Sequence, residues 1–257
     1  MVGIILSAGK GERLLHYTKN KPKVLLDING IRILDNIYFL FTHCMKFESI
    51  YLGAGHCIDA VEEYVAKKNL SKIKIVYNPF YKISGPLVTL WLVLNYIDDD
   101  DFIFMNGDTF FSKKVFTCVK ENILNVNEGI YLVCSMSDNA KTDDVKVMYD
   151  NDGNIIAVGK DIENYNAISA GMVVVKGKRR CSTFKLLLDN VSKTDDFVNF
   201  KKTWHSFLND IIAYGNNIKP IFVDQSEWYE IDRVEDIEKL QFLIQKDSIF
   251  NDLLNMK

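Results

Sequence analysis

The feature that most constrains this chain is an apolar run that ends in a glycine-bearing, cationic loop. Residues 2–6 read Val-Gly-Ile-Ile-Leu, and residues 7–13 read Ser-Ala-Gly-Lys-Gly-Glu-Arg. Gly9 and Gly11 allow the backbone to approach a ligand closely and to adopt positive φ angles. Exposed amides in such a loop form an anion-binding nest. A buried strand followed by this loop therefore predicts a polyphosphate site.

The order of residues in this loop excludes two common phosphate-binding loops. A P-loop requires Gly-x4-Gly-Lys-Ser/Thr, whereas here Gly11 follows Lys10. A dinucleotide fingerprint requires a small residue where Leu14 stands and an acidic residue about 20 positions later. A dinucleotide-dependent oxidoreductase is therefore disfavoured. Basic side chains in and after the loop supply charge for a phosphate ligand: Lys10, Arg13, Lys19, Lys21 and Lys23.

Composition narrows the class of ligand and the compartment. The net charge of −3 lacks the basic field that general nucleic-acid binding requires, so a small anionic ligand fits better. The five cysteines are odd in number and contain no Cys-x-x-Cys pair, which favours reduced thiols over disulfides or a zinc site. The first apolar stretch lacks signal-peptide features, and no run approaches the roughly 20 apolar residues of a membrane helix. We expect a cytoplasmic protein without a membrane partner.

The first 115 residues alternate short apolar runs with amphipathic stretches. The periodicity predicts strands at 2–6, 49–53, 74–77 and 102–105, and helices at 33–46, 58–68 and 87–97. Strands separated by helices of this length indicate βαβ units and a parallel sheet covered on both faces. The predicted fold class is α/β, with a doubly wound, mostly parallel, Rossmann-like sheet.

The pattern changes after about residue 115. Strands are predicted at 129–135, 145–148, 155–158, 171–175 and 218–223, with helices near 182–190 and 204–214. Residues 151–154, Asn-Asp-Gly-Asn, predict a hairpin turn. A terminal helix is expected from near Val234. Because no linker rich in Pro, Gly or Ser divides the chain, we expect one domain over residues 1–257, with a β/α subregion inserted into the second half.

Two candidate carboxylates follow short apolar segments. Ligands collect at the carboxyl ends of strands in an open α/β sheet, and residues 106–108, Asn-Gly-Asp, follow a predicted strand at that edge. Asp108 is either a Mg²⁺ ligand or an ordinary turn residue. Asp232 is either a second ligand or the N-cap of the terminal helix. The acidic run 98–101 precedes its strand and is expected to be a solvated turn, roughly 20 Å from Asp108.

Together these segments resemble the nucleotidyltransferases of the sugar-phosphate and phosphocholine type, most closely the bacterial CTP:phosphocholine cytidylyltransferase branch. The resemblance extends over nearly the whole chain and rests on residues 6–13 with Pro22-Lys23, on 106–108, on 78–81 with 90–91, on 158–160 and on 228–232. It implies transfer of a nucleotide from an NTP, CTP in this branch, to a small phosphorylated acceptor, with Mg²⁺ as cofactor and pyrophosphate as product. Residues 1–115 would bind the nucleotide and residues 116–257 the acceptor.

The resemblance also implies roles for individual positions. The nucleotide-binding positions are Leu6, Ala8, Gly9, Gly11 and Asn106. The implied catalytic residues are Arg13, which would contact the β- and γ-phosphates and stabilise departing pyrophosphate, and Lys23, which would hold the α-phosphate and the acceptor phosphate. Asp108 and Asp232 would share the Mg²⁺ ion.

On the acceptor side, the resemblance implies that Lys160 binds the acceptor phosphate. Tyr81, Trp204 and Tyr229 are the candidates for contact with an acceptor headgroup, because an aromatic cage would hold a choline-like cation by cation–π contacts. The acceptor itself stays open between phosphocholine, an aminoalkyl phosphonate and similar compounds.

Two further functions remain as alternatives. One is a hexose-1-phosphate nucleotidyltransferase that uses another NTP, since residues 84–86 and Thr89 depart from the phosphocholine branch near the base pocket. The other is an inactive nucleotide-binding regulatory domain. The retention of Arg13 and Lys23 argues against the second alternative, because a sensor does not need the charges that assist pyrophosphate departure. The sequence leaves homo-oligomerisation open.

Overall fold

Residues 1–98, 100–193 and 197–246 are described by the structure, a computed structural model. Their strands are β1 (Val2–Ser7), β2 (Asp27–Ile28), β3 (Ile31–Arg32), β4 (Ile50–Ala54), β5 (Ile73–Tyr77), β6 (Phe102–Asn106), β7 (Thr109–Phe111), β8 (Gly129–Met136), β9 (Lys146–Tyr149), β10 (Ile155–Gly159), β11 (Ala167–Lys176), β12 (Ile218–Phe222) and β13 (Trp228–Glu230). Their α-helices are α1 (Ile33–Phe39), α2 (Ile58–Lys67), α3 (Pro86–Leu94), α4 (Lys113–Leu124), α5 (Lys178–Ser192), α6 (Phe197–Phe200), α7 (Trp204–Ala213) and α8 (Val234–Lys246).

The strands of both halves share one nine-stranded sheet. In the first half, β1 lies between β4 and β6 and is parallel to both, and β5 continues the parallel order beyond β4. The predicted parallel α/β arrangement is therefore confirmed. The predicted helix at 33–46 differs in its last turns, because α1 ends at Phe39 and continues as a π-helix over Leu40–Cys44.

Helices cover both faces of the sheet. The side chains of β1 point alternately to the two faces, which explains why its sequence is continuously apolar. Ile5 belongs to a core that includes residues of α1, α2, α4 and α8. The neighbouring Ile4 belongs to a second core with residues of α3, α5 and α7. Successive side chains of a strand point to opposite faces, so a strand buried on both faces needs apolar residues at every position. The doubly wound prediction is confirmed.

The second half adds antiparallel strands to the edge of the parallel sheet. β11 runs antiparallel to β6, β8 and β9, and β9 forms a hairpin with β10. The predicted turn at 151–154 is confirmed: Gly153 has a φ of 74° and donates its N–H to the Asp150 carbonyl at 3.1 Å. A bulge between Ser169 and Met172 interrupts the β8–β11 register, and Gly171 there has a φ of 76°.

A small second sheet was not predicted. β7 and β13 pair antiparallel, with Thr109 opposite Glu230. Strands of three residues are too short to show a periodicity of two, so neither was recognisable as a strand. Their pairing ties the chain after β6 to the chain before α8. It thereby brings two segments that are far apart in sequence to one point beside β1.

Three simpler expectations can be compared with the structure. All five cysteines are free thiols, as expected. Asp98 and Asp100 of the acidic run are exposed, which agrees with a solvated turn, while Asp99 lies outside the described residues. Asp101 is half-buried and accepts a hydrogen bond from the Gly177 N–H at 2.6 Å. None of the helices in the described part of the chain is long and apolar enough to cross a membrane.

Candidate active site

A cleft of about 870 Å³ opens at the carboxyl ends of β1 and β6. The first half contributes the continuous loop 6–13 to its wall. The second half contributes residues from several separate segments: 143–145, 158–161, Ser169, Gly171 and 203–206. The five predicted nucleotide-binding residues all line this cleft.

The loop after β1 is held in place by backbone contacts from neighbouring segments. The Gly107 N–H donates to the Leu6 carbonyl at 2.9 Å, and the His56 N–H donates to the Ala8 carbonyl at 3.0 Å. Gly11 has a φ of 64°, and a Cβ there would lie 2.9 Å from the Lys23 side chain. Glycine is therefore required at this position both by the backbone conformation and by the close approach of the lysine.

Lys23 joins the two predicted metal-binding aspartates. Its Nζ donates to Asp108 Oδ2 at 3.2 Å, to Asp232 Oδ1 at 2.8 Å and to the Ile231 carbonyl at 3.1 Å. The side chain is only 13% exposed. Burial alone lowers the pKa of Lys23, but the two carboxylates outweigh burial and raise the pKa above its ordinary value. Lys23 is therefore a fixed positive charge at the centre of the site.

The Asp232 carboxylate faces the cleft. It pairs with Lys23 and with the Arg13 guanidinium. The carboxylate of Asp236, in the first turn of α8, accepts from the N–H groups of the two residues before the helix, Asp232 at 3.0 Å and Arg233 at 2.8 Å. Of the two roles that the sequence left open for Asp232, the geometry favours the one inside the site.

Glu230 is a third carboxylate, and the sequence analysis did not select it. One carboxylate oxygen each from Asp108, Glu230 and Asp232 lie within 4.8 Å of one another. Partial loss of bulk water in the cleft, followed by repulsion from the two aspartates, raises the pKa of Glu230 to about 8. A signal was available: Glu230 stands two residues before Asp232 in an extended segment, and such residues share a face.

These three acidic residues fit a divalent metal ion. Hard cations such as Mg²⁺ prefer carboxylate oxygens. Asp108 Oδ1 is buried and, within the part of the chain that the structure describes, has no hydrogen-bond partner. An unpaired buried oxygen is costly, and a cation at this point would satisfy it. A bound ion would supply positive charge to phosphate oxygens in the cleft.

Arg13 and Lys160 meet at a residue that sequence reasoning missed. Arg13, 51% exposed, lies 3.7 Å from Asp143, and Lys160, 47% exposed, lies 4.0 Å from the other oxygen of the same carboxylate. Arg233 donates to Asp143 at 2.7 Å. That hydrogen bond, with the charges of Arg13 and Lys160, holds the pKa of Asp143 below its ordinary value. No local pattern marks Asp143, because its partners come from three distant segments.

The three predicted aromatic acceptor residues have different surroundings. Tyr81 is half-buried and lines the cleft beside residues 84–86. Trp204 contributes to the wall but is 1% exposed, and its indole N–H donates to Asn106 Oδ1 at 2.9 Å. Tyr229 lies outside the cleft wall, packs against the core and donates its hydroxyl to Asp236 at 3.5 Å. The structure does not bring the three rings together as a cage.

Ser169 and His205 form a polar pair in the acceptor half that the sequence analysis did not select. Ser169 Oγ lies 3.1 Å from His205 Nε2 and accepts the Gly171 N–H at 3.1 Å. The imidazole stacks on Trp204 at 3.4 Å between ring centroids. Burial, aided by the Lys160 charge, lowers the pKa of His205 to about 3. The imidazole is therefore neutral at physiological pH.

Another polar network lies at the nucleotide end of the cleft. The buried Asn78 side chain donates to Thr89 Oγ1 at 2.9 Å and to Ser84 Oγ at 3.1 Å. Asn78, Ser84 and Thr89 all line the cleft. The positions at which the sequence departs from the phosphocholine branch therefore form one connected set, held by Asn78.

Comparison with known proteins supports a nucleotidyltransferase. Residues 3–148, more than half of the chain, match the model of the MobA-like NTP transferase domain. The chain is 25% identical over 258 residues to the CTP:phosphoglutamine cytidylyltransferase of Campylobacter jejuni, covering 93% of this chain and 98% of that protein. It is 29% identical over 180 residues to the bifunctional protein GlmU of Methanococcus aeolicus, covering 69% of this chain. The chain spans about two fifths of the length of the GlmU relatives.

Two solved structures share the fold over nearly their whole length. The inositol-1-phosphate CTP transferase from T. maritima has a TM-score of 0.77 at 21% identity, with 95% of each chain covered. The CTP:phosphocholine cytidylyltransferase from Streptococcus pneumoniae has a TM-score of 0.71 at 18% identity, covering 95% of this chain and 99% of that one. At these identities the likeness shows the fold alone.

Proposed function

We propose that this chain, which belongs to the family of MobA-like NTP transferase domains, is a nucleotidyltransferase and, more specifically, a Mg²⁺-dependent cytidylyltransferase. It transfers CMP from CTP to a small phosphorylated alcohol or amine and releases pyrophosphate. The observation that carries this proposal is the placement of Lys23 between Asp108 and Asp232, with Arg13 beside them. These charges can neutralise the pyrophosphate group as it is displaced.

The proposed reaction needs positioning and charge neutralisation more than proton transfer. A phosphate monoester has a second pKa near 6 and is already ionised at pH 7, so its oxygen attacks the α-phosphorus without a general base. Lys23 and Lys160 hold the acceptor phosphate in line with the α-phosphate. Arg13 neutralises the charge that develops on the leaving pyrophosphate. The metal, held by Asp108, Glu230 and Asp232, would lower the repulsion between the reacting phosphates.

The choice of CTP rests on the relative from Campylobacter jejuni, because that similarity extends over nearly the full length of both proteins. We assign the base pocket to the network of Asn78, Ser84 and Thr89. These side chains offer amide and hydroxyl groups that suit the polar edge of a pyrimidine.

We propose that the acceptor is a small molecule that carries a phosphate group. Lys160 supplies the charge for the phosphate, and the neighbouring pair of Ser169 and His205 offers hydrogen bonds to the headgroup. Of the three predicted aromatic residues, Tyr81 is half-buried and lines the cleft, whereas Trp204 is buried and Tyr229 lies outside the cleft wall; a cation–π contact to a choline-like group would therefore depend on Tyr81. Phosphocholine and aminoalkyl phosphonates remain the first compounds to test.

A second candidate is a sugar 1-phosphate as acceptor, with another NTP. The similarity to the UTP–glucose-1-phosphate uridylyltransferase AglF of Haloferax volcanii favours it, since the two chains are 29% identical over 139 residues. Both candidates use the same phosphate chemistry. They differ in the groups that contact the base and the headgroup.

A pyrophosphate-release screen tests the proposal. CTP, UTP, ATP and GTP would each be combined with phosphocholine, phosphoethanolamine, aminoethylphosphonate and several sugar 1-phosphates, with Mg²⁺ or with EDTA. We expect release with CTP and one phosphorylated alcohol or amine, and none with EDTA. Release with UTP and a hexose 1-phosphate would instead support the second candidate. Release with no pair would contradict the proposed function.

A further inference from the structure

Asp143 is an acidic side chain of the cleft that contacts three cations, one of which, Arg13, also pairs with Asp232. It lies on the loop between β8 and β9, and its carboxylate contacts Arg233 at 2.7 Å, Arg13 at 3.7 Å and Lys160 at 4.0 Å. The side chain of Asp143 is 42% exposed, so it lies at the mouth of the cleft and not in its floor.

The three cations come from different parts of the chain. Arg13 follows β1 in the nucleotide half, Lys160 follows β10 in the acceptor half, and Arg233 precedes α8. Under the proposed function, Arg13 serves the leaving pyrophosphate and Lys160 serves the acceptor phosphate. One carboxylate therefore contacts the cation assigned to each substrate.

The contacts of Asp143 affect how strongly phosphates bind to Arg13 and Lys160. A phosphate that binds Arg13 or Lys160 must share the cation with Asp143 or replace it, and the two anions repel each other. A single exposed ion pair is worth at most about 1 kcal/mol. That amount corresponds to roughly a fivefold change in a dissociation constant. Asp143 is therefore strong enough to adjust phosphate binding and too weak to prevent it.

We propose that Asp143 competes with the phosphates of the substrates for Arg13 and Lys160, and thereby weakens the binding of pyrophosphate and of the NTP. The inference rests on the proposed function, because it assigns phosphates to these two cations. Arg233 holds the carboxylate at this point through the shortest of the three contacts. The advantage of such a residue is faster release of pyrophosphate after transfer.

Binding of inorganic pyrophosphate in the presence of Mg²⁺, measured by titration calorimetry, tests the inference. The Kd of Asp143→Asn should fall about fivefold relative to the unmodified protein, and Asp143→Ala should behave alike. The matched control is Asp152→Asn, which removes the same charge from the exposed turn after β9 and should leave the Kd unchanged. Thermal unfolding would verify that each variant is folded.

The sign of the change in Kd shows whether Asp143 competes with phosphates for the cations or positions the cations for phosphate binding. Weaker binding by Asp143→Asn would mean that Asp143 orients the cations, and an unchanged Kd would mean that it does neither; both results overturn the inference. The double variant Arg233→Gln, Asp143→Asn should keep the tighter binding. Loss of the effect there would assign it to the freed Arg233 and would also overturn the inference. Failure of the unmodified protein to bind pyrophosphate would contradict the proposed function itself.

Discussion

The nucleotide half and the acceptor half build their walls of the cleft in different ways. The nucleotide half uses one continuous loop, residues 6–13, in which every residue lines the cleft, and adds Lys23, several residues of 78–89 and residues 106–108. The acceptor half uses short pieces of a loop, two strand ends and a helix N-terminus, which are far apart in the sequence. A continuous loop has a recognisable pattern of residues, whereas a wall assembled from separate pieces has none.

The two halves also differ in how firmly their charges are held. Lys23 is enclosed by Asp108, Asp232 and a backbone carbonyl. Lys160 has a single long contact to Asp143 and is half exposed. The first arrangement suits a step that is common to every acceptor, and the second suits adjustable recognition of one acceptor. We therefore expect substitutions in the first group to affect all acceptors equally and substitutions in the second to be selective.

The largest effect is expected from Asp108→Asn. Removing a ligand charge from the metal site should lower kcat by more than about 10²-fold with every acceptor, and should weaken Mn²⁺ binding measured by electron paramagnetic resonance. Asp98→Asn is the matched control, because Asp98 is an exposed residue of the acidic run. Full activity of Asp108→Asn would remove Asp108 from the metal site.

Arg13→Ala should follow, with a loss of about 10²-fold in kcat/KM, the magnitude typical of one group that stabilises developing charge. The loss should be the same for each acceptor, since Arg13 is assigned to pyrophosphate. Steady-state kinetics with two acceptors measures this, and Lys67→Ala, an exposed residue of α2 away from the cleft, is the control. An effect confined to one acceptor would show that Arg13 contacts the acceptor and not the pyrophosphate.

Lys160→Ala should produce a smaller and selective effect. The acceptor KM is expected to rise about tenfold, as for the loss of one charge-assisted hydrogen bond, while the CTP KM changes little. Initial rates at varied concentrations of each substrate measure both constants. Lys219→Ala, on the exposed side of β12, provides the control. Equal increases in both constants would show that Lys160 does not distinguish the acceptor from the nucleotide.

The last prediction concerns the free energy of unfolding of the protein at acid pH. The pKa of His205 is about 3 in the folded protein, below its ordinary value, so protons bind the unfolded chain more readily. The contribution of neutral His205 to the stability of the folded protein is therefore fully present above about pH 6.5 and declines as the pH falls toward 3. In His205→Gln, we expect the free energy of unfolding, measured in urea, to lose about 2 kcal/mol of its change between pH 7 and pH 5; His16→Gln should leave that change intact. Identical profiles of His205→Gln and the unmodified protein would contradict this.

Much of the framework could be predicted from the sequence. The apolar run before the phosphate loop, the alternation of strands and helices, and the Asn-Asp-Gly-Asn turn are all local patterns, and the structure has the corresponding elements. Asp108 and Lys23 could be selected because each follows a recognisable segment. The placement of Asp108 at the edge where ligands collect was inferred from a general rule for the carboxyl ends of strands, whereas the contact between Asp108 and Lys23 is given by the structure.

Other features depend on contacts between distant segments. Glu230 joins the carboxylate group because β13 pairs with β7, Asp143 joins the cations through a loop of the antiparallel strands, and His205 is neutral because its surroundings in the folded chain exclude water. Trp204 is buried, which is the ordinary role of an aromatic residue, and its sequence position alone does not separate that role from contact with a ligand. Local sequence specifies backbone periodicity. Burial, ion pairing and pKa values are set by neighbours that only the folded chain brings together.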